Sequence, residues 1–124
     1  MNQIPIFPLL LKSEEVRNLI SNDDGMLRAF KFGFVDEDVR MPYVVLQSAS
    51  GNPFNNISDR PSGDRIILQI DVYDTDPDVV ERLAQAVRYA IELNCNVVSY
   101  RDIDQDPEDK SFHIGFDTSW ILTR

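Results

Sequence analysis

The chain has 124 residues, 43% hydrophobic, 10% aromatic and 27% charged, which suits one core and leaves no room for a second, so a single domain over 1–124 is expected. Lys and Arg number 12 against 21 Asp and Glu, a formal net charge of −9. That balance disfavours a grip on nucleic acid or adhesion to anionic lipid, since both draw their affinity from a surplus of cations.

The longest apolar stretch, Ile4 to Leu11, falls far short of the roughly 20 residues of a membrane-spanning helix. Pro5 and Pro8 interrupt it and no basic region precedes it, so no signal peptide is read and a soluble cytoplasmic product is expected. From Pro5 to Ile20, Phe7, Leu10, Leu11, Val16, Leu19 and Ile20 form a helical stripe with Ser13 placed to restart the helix before Glu14 and Glu15. The spacing predicts one kinked helix or two short ones. A turn cluster over 22–25 follows, then Phe30, Phe32 and Phe34 alternate with Lys31 and Gly33, predicting a strand with one aromatic face turned inward. The acids Asp36, Glu37 and Asp38 end it.

Tyr43 to Ser48 is a near-continuous apolar run, predicting a strand buried on both sides or paired on both edges. From Ser50 to Gly63 the composition shifts to Gly, Pro and Asn, predicting a long loop or an irregular hairpin arm, and loops of such length tend to carry function. In Asp64 to Tyr73, Ile66, Leu68, Ile70 and Val72 share one side, while Arg65, Ile67, Gln69, Asp71 and Tyr73 share a mixed second side. Asp76 or Thr75 then caps a helix whose first turn holds Pro77, and apolar spacing from Val79 to Ile91 extends it about five turns toward Asn94. Asn96 to Asp104 and a long alternating run from Phe112 to Leu122 supply the closing strands. The expected class is α+β: a mainly antiparallel sheet of four to five strands with two helices on one face, in the order α-β-β-β-α-β-β.

Chemistry-bearing motifs are scarce. Cys95 and His113 are the only residues of their kinds, too few for an internal disulfide or a zinc site. Asp102, Asp104 and Asp106 imitate the opening of a calcium loop, but Pro107 and His113 stand where Gly and Glu are needed, so a solvated turn is expected. Asp71 with Asp64 or Asp74 offers paired carboxylates without a partnering base, and no phosphate-cradling or nucleophile-elbow motif occurs. No catalytic, metal or cofactor residues are assigned and no enzyme is expected. Arg60, Arg65, Arg82, Arg88 and Arg101 are dispersed among acids and read as their partners.

Four fragments in order become specific: the Pro42-Tyr43-Val44-Val45 strand, the Ser50-Gly51-Asn52-Pro53 loop, Gln69-Ile70-Asp71-Val72-Tyr73, and the Ala86-Val87-Arg88 helix turn. Together they resemble the small tail-completion or tail-terminator proteins of long-tailed bacteriophages and prophages, over nearly the whole chain. The resemblance implies a structural virion protein: six subunits form a ring that caps the tail tube, ends its polymerisation and offers a surface for joining the head. Its implied partners are further copies of itself, the tail tube protein and the head–tail connector. DNA passes through without being specifically bound, no membrane is involved, and assembly takes place in the host cytoplasm. The residues expected at subunit and partner contacts are Gly51, Asn52, Pro53, Phe54, Asn55, Asn56 and Arg60 in the loop, with Gln69, Asp71 and Tyr73 on the adjoining strand. Pro42, Tyr43 and Val44 read as structural. Alternatives are a head-completion or neck connector protein and, in a different class, an acidic small-ligand binding module or enzyme.

Overall fold

Ser13 divides the N-terminal stripe into two helices. In the computed structural model, which describes residues 4–36, 38–53 and 63–123, α1 spans Ile6–Lys12 and α2 spans Glu14–Ile20. The Ser13 hydroxyl accepts from the Val16 N–H at 3.2 Å, and Glu14 and Glu15 add negative charge to the first turn. From the next turn the Arg17 guanidinium donates back to the Leu11 carbonyl, so the bend is held from both sides. Ile6, Leu10, Val16 and Ile20 are buried.

The sheet runs in the order β1-β2-β3-β5-β4, where β1 is Ala29–Lys31, β2 Tyr43–Pro53, β3 Gly63–Asp74, β4 Asn96–Gln105 and β5 Phe112–Thr123. β1 lies parallel to β2, and every other pair is antiparallel. The third helix, α3 (Pro77–Ile91), connects β3 to β4. The class is α+β as expected, with three helices among the described residues instead of two and a parallel pair at one end. Inward side chains alternate along the strands, so Val44 and Leu46, then Leu68, Ile70 and Val72, then Phe116 and Trp120 form one core with Val80, Leu83, Val87 and Ile91 of α3. Val44, Val45 and Leu46 are all buried and paired on both edges, by β1 and β3.

Three expectations are corrected. β1 ends at Lys31, because Gly33 takes φ 89°, where a glycine meets no steric penalty, and the Phe34 N–H turns back to the Lys31 carbonyl at 3.0 Å. Phe32 and Phe34 are therefore 63% and 75% exposed instead of facing inward. The segment after Ser48 does not become loop at Ser50: past a bulge, Gly51, Asn52 and Pro53 pair with Ile66, Arg65 and Asp64. Long-range pairing with β3 overrides a composition that favours turns. Finally, α3 stops at Ile91 after about four turns. The Asn94 N–H closes a tighter turn on the Ile91 carbonyl, and Leu93, 96% exposed, buries nothing that would extend the helix.

Two polar groups fasten the core. Arg28, 4% exposed, donates to the Leu19 and Ser21 carbonyls at the end of α2, to Asn22 Oδ1 and, through Nε, to the Pro42 carbonyl ahead of β2. A cation at a helix C-terminus meets the negative end of its dipole, so this side chain pins α2 to the sheet. On β5 the fully buried Thr118 hydroxyl donates to the Leu68 carbonyl at 2.9 Å and accepts from Trp120 Nε1 at 2.7 Å. Thr118→Val keeps the shape and leaves the buried indole N–H without its acceptor. The substitution is expected to destabilise the fold by about 1–3 kcal/mol, read from the midpoint of urea unfolding.

Candidate functional site

All three helices belong to the core of one sheet face, and the odd-numbered residues of β3 look the other way. This outer face is organised in rows across the strands. The first is aromatic: Phe30 meets the edge of Tyr43 at 6.4 Å between ring centroids, Tyr43 stacks on Tyr73 at 4.9 Å, and Tyr73 on His113 at 5.4 Å. Burial, aided by Asp71 and Tyr43, pushes the Tyr73 hydroxyl up to about 12, and burial with Asp109 also raises Tyr43. Both phenols stay neutral at physiological pH.

The next rows are charged. Asp71 on β3 faces Gly115 on β5, which faces Arg101 on β4. The Arg101 guanidinium crosses over Gly115 to reach Asp71 Oδ1 at 3.1 Å and Asp117 Oδ1 at 2.8 Å, while Ser99 donates to Asp117 Oδ2 at 2.8 Å. A Cβ at position 115 would overlap both the guanidinium and the Asp71 carboxylate, so the clamp requires glycine there. Its hydrogen bond to Asp117 raises the Arg101 pKa against partial burial, and Asp71 adds to the rise. Burial alone would raise Asp117, but the hydrogen bonds from Arg101 and Ser99 and the charge of Arg101 outweigh it and hold the carboxyl below its usual range. Two carboxylates sharing one cation leave this row with a net negative charge.

Three of the expected contact residues, Gln69, Asp71 and Tyr73, come together on this face in adjoining rows. Gly51, Asn52 and Pro53 lie exposed at the far end of β2, while Phe54, Asn55, Asn56 and Arg60 fall outside the described residues. Tyr43, read as structural, is part of the aromatic row. Sequence reasoning missed the assembly of Arg101, Gly115 and Asp117. Its one visible signal was a glycine within an otherwise regular alternating strand.

Asp71 is held by Arg101, and burial with Glu92 pushes the half-buried Cys95 thiol up to about 11. Among the described residues no group of three or more His, Cys, Asp or Glu is placed to hold a metal ion. In the acidic turn between β4 and β5, Asp106 accepts from the Glu108 N–H and Asp109 from the Ser111 N–H and hydroxyl, so these carboxylates shape the turn.

The family model of the tail completion protein gp17 matches residues 4–123. The chain belongs to this tail completion family. Membership places it among phage structural tail proteins, in agreement with the resemblance carried by the fragments between Pro42 and Arg88. No curated protein matches. Among solved structures the fold is similar to a chain of the virion of a native gene transfer agent particle, with a TM-score of 0.65 over 96% of this chain and 92% of that one. At 11% identity that likeness concerns the fold.

The clamp gives a testable account of the outer face. Arg101 is 42% exposed, so solvent screens it and the network is worth the ~0.5–1 kcal/mol of exposed ion pairs. Arg101→Met is expected to lower stability by about that amount at neutral pH. The loss is fully present above the ordinary carboxylate value of 3.8 and fades as pH falls below it, because Asp117 protonates later in the folded chain than in the unfolded one. Gly115→Ala should reproduce the loss in the parent chain and cost little in the Arg101→Met background, as measured by a double-mutant cycle of urea midpoints.

Proposed function

We propose that the protein is the ring-forming subunit that caps the phage tail tube, ends its polymerisation and presents the surface joined by the head. The observation that carries this reading is the family match over residues 4–123, essentially the whole chain. Family membership says tail completion; the capping step, the ring of six and the partners, tail tube protein and head–tail connector, are our reading of how completion is done. The outer sheet face and the β2–β3 arm are the surfaces we assign to neighbours. They include Gly51, Asn52, Pro53, Gln69, Asp71 and Tyr73, together with Phe54, Asn55, Asn56 and Arg60 of the intervening segment.

Charge supports the same reading. Six copies at −9 each carry a formal −54. A lumen lined by part of that charge repels phosphate, so DNA moves through without sticking.

Deleting the gene from its phage tests the proposal by electron microscopy of the particles. Tails of abnormal length are expected. Tails of normal length that fail to join heads would transfer the assignment to a neck connector, and normal infectious virions would overturn both.

A further inference from the structure

β1 covers only part of the β2 edge. It pairs with Val44, Val45 and Leu46, the Phe32 N–H donates to the Leu46 carbonyl at 2.8 Å, and the turn at Gly33 then carries the chain away. From Gln47 to Pro53 no strand among the described residues pairs with β2 on that side. This open stretch has no charged residue, whereas edges that avoid pairing are usually guarded by charge. Beside it lies a hollow of about 630 Å³ walled by Phe7, Phe32, Phe34, Leu46 and Leu68. A second hollow of about 420 Å³ continues along the strand and shares Ser48 and Ile66 with the first. Lys31 is the one charged side chain lining the larger hollow, and it has no ion-pair partner among the described residues.

The opposite edge of the same sheet has the complementary character. Along β4 nine of ten residues are exposed, among them Val98 and Tyr100 at 55% and 56%. Bulges at Val97/Ser99 and Arg101/Asp104 interrupt its ladder and leave Ser99, Tyr100 and Arg101 as a regular three-residue segment. That equals the length by which β1 adds to β2. The acids Asp102 and Asp104 follow, opposite in sign to Lys31.

We infer that the β4 edge of one copy docks on the open β2 edge of the next, extending the sheet beyond β1. Main-chain hydrogen bonds join the strands, the Tyr100 ring enters the Phe7–Phe32–Phe34 hollow, and the acids after it approach Lys31. Tyr100 is available for this because its contact with Arg88, 4.9 Å from the guanidinium carbon to the ring centroid, occupies one face. Two different edges meeting make a heterologous contact, which closes into a ring when the rotation between neighbours divides a full turn and otherwise runs on as a filament. The β4 bulges keep the paired length short. This inference rests on the ring reading above, to which it adds the joint between subunits.

Disulfide trapping in a Cys95→Ser background tests it. Single cysteines at Gln47 or Ala49 are mixed with single cysteines at Val98 or Asp102 and oxidised, with light scattering run in parallel. Mixed dimers are expected only when one cysteine lies on each edge, and chains carrying both should give a ladder. Phe34→Asp, at a position 75% exposed and outside the core, should raise the concentration needed for association about tenfold or more. Lys31→Glu should weaken association, and Asp102→Lys should restore it. Oligomers that form without the cross-edge ladder and ignore Phe34→Asp overturn the joint and leave the ring reading standing. Chains that stay monomeric at millimolar concentration without a ladder also overturn the joint, and the deletion phenotype then decides the ring by itself.

Discussion

A sheet covered on one face is the constraint from which the rest follows. The alternating side chains of β2, β3 and β5 place Val44, Leu46, Leu68, Ile70, Val72, Phe116 and Trp120 against the helices, and these residues form a single core. The same alternation turns the intervening side chains the other way, where no helix among the described residues covers them. Burial supplies most of the folding free energy on the first face. The second face has to be made compatible with water or with a partner.

The outer face meets that demand with two kinds of row. Stacked rings from β1, β2, β3 and β5 shield one another at one end. In the middle, two carboxylates are neutralised in part by one guanidinium, which lies flat only because Gly115 has no side chain. A face that is partly aromatic, negatively charged on balance and internally braced is consistent with the proposed ring subunit, whose outer side would meet neighbouring proteins.

Much of this was legible in the residues themselves. Asp76 and Pro77 announce α3, Ser13 announces the split between α1 and α2, and the alternation of β3 and β5 declares which side is core. The order of the fragments from Pro42 to Arg88 pointed to the family. The candidate site was legible only in part. Asp71 and Tyr73 could be placed on the outer side of β3, but their partners Arg101 and His113 come from strands 30 and 40 residues later in the chain, and only register brings them opposite. Register is not written in any single strand, because each alternating pattern is compatible with several shifts of two residues.

The sequence by itself determined the caps that start α2 and α3, the inward faces of β3 and β5 and the acidic character of the chain, which depend on neighbours within a few positions, where period, cap and charge act directly. It also pointed to the family, through the order of fragments from Pro42 to Arg88. Tertiary structure decided where β1 stops, how far β2 runs, which carboxylates share Arg101, and that one edge of the sheet has an uncharged stretch beside a hollow lined by Lys31 while the other carries acids and exposed apolar groups. These depend on pairing between distant segments, whose free energy is gained only once the whole sheet has closed.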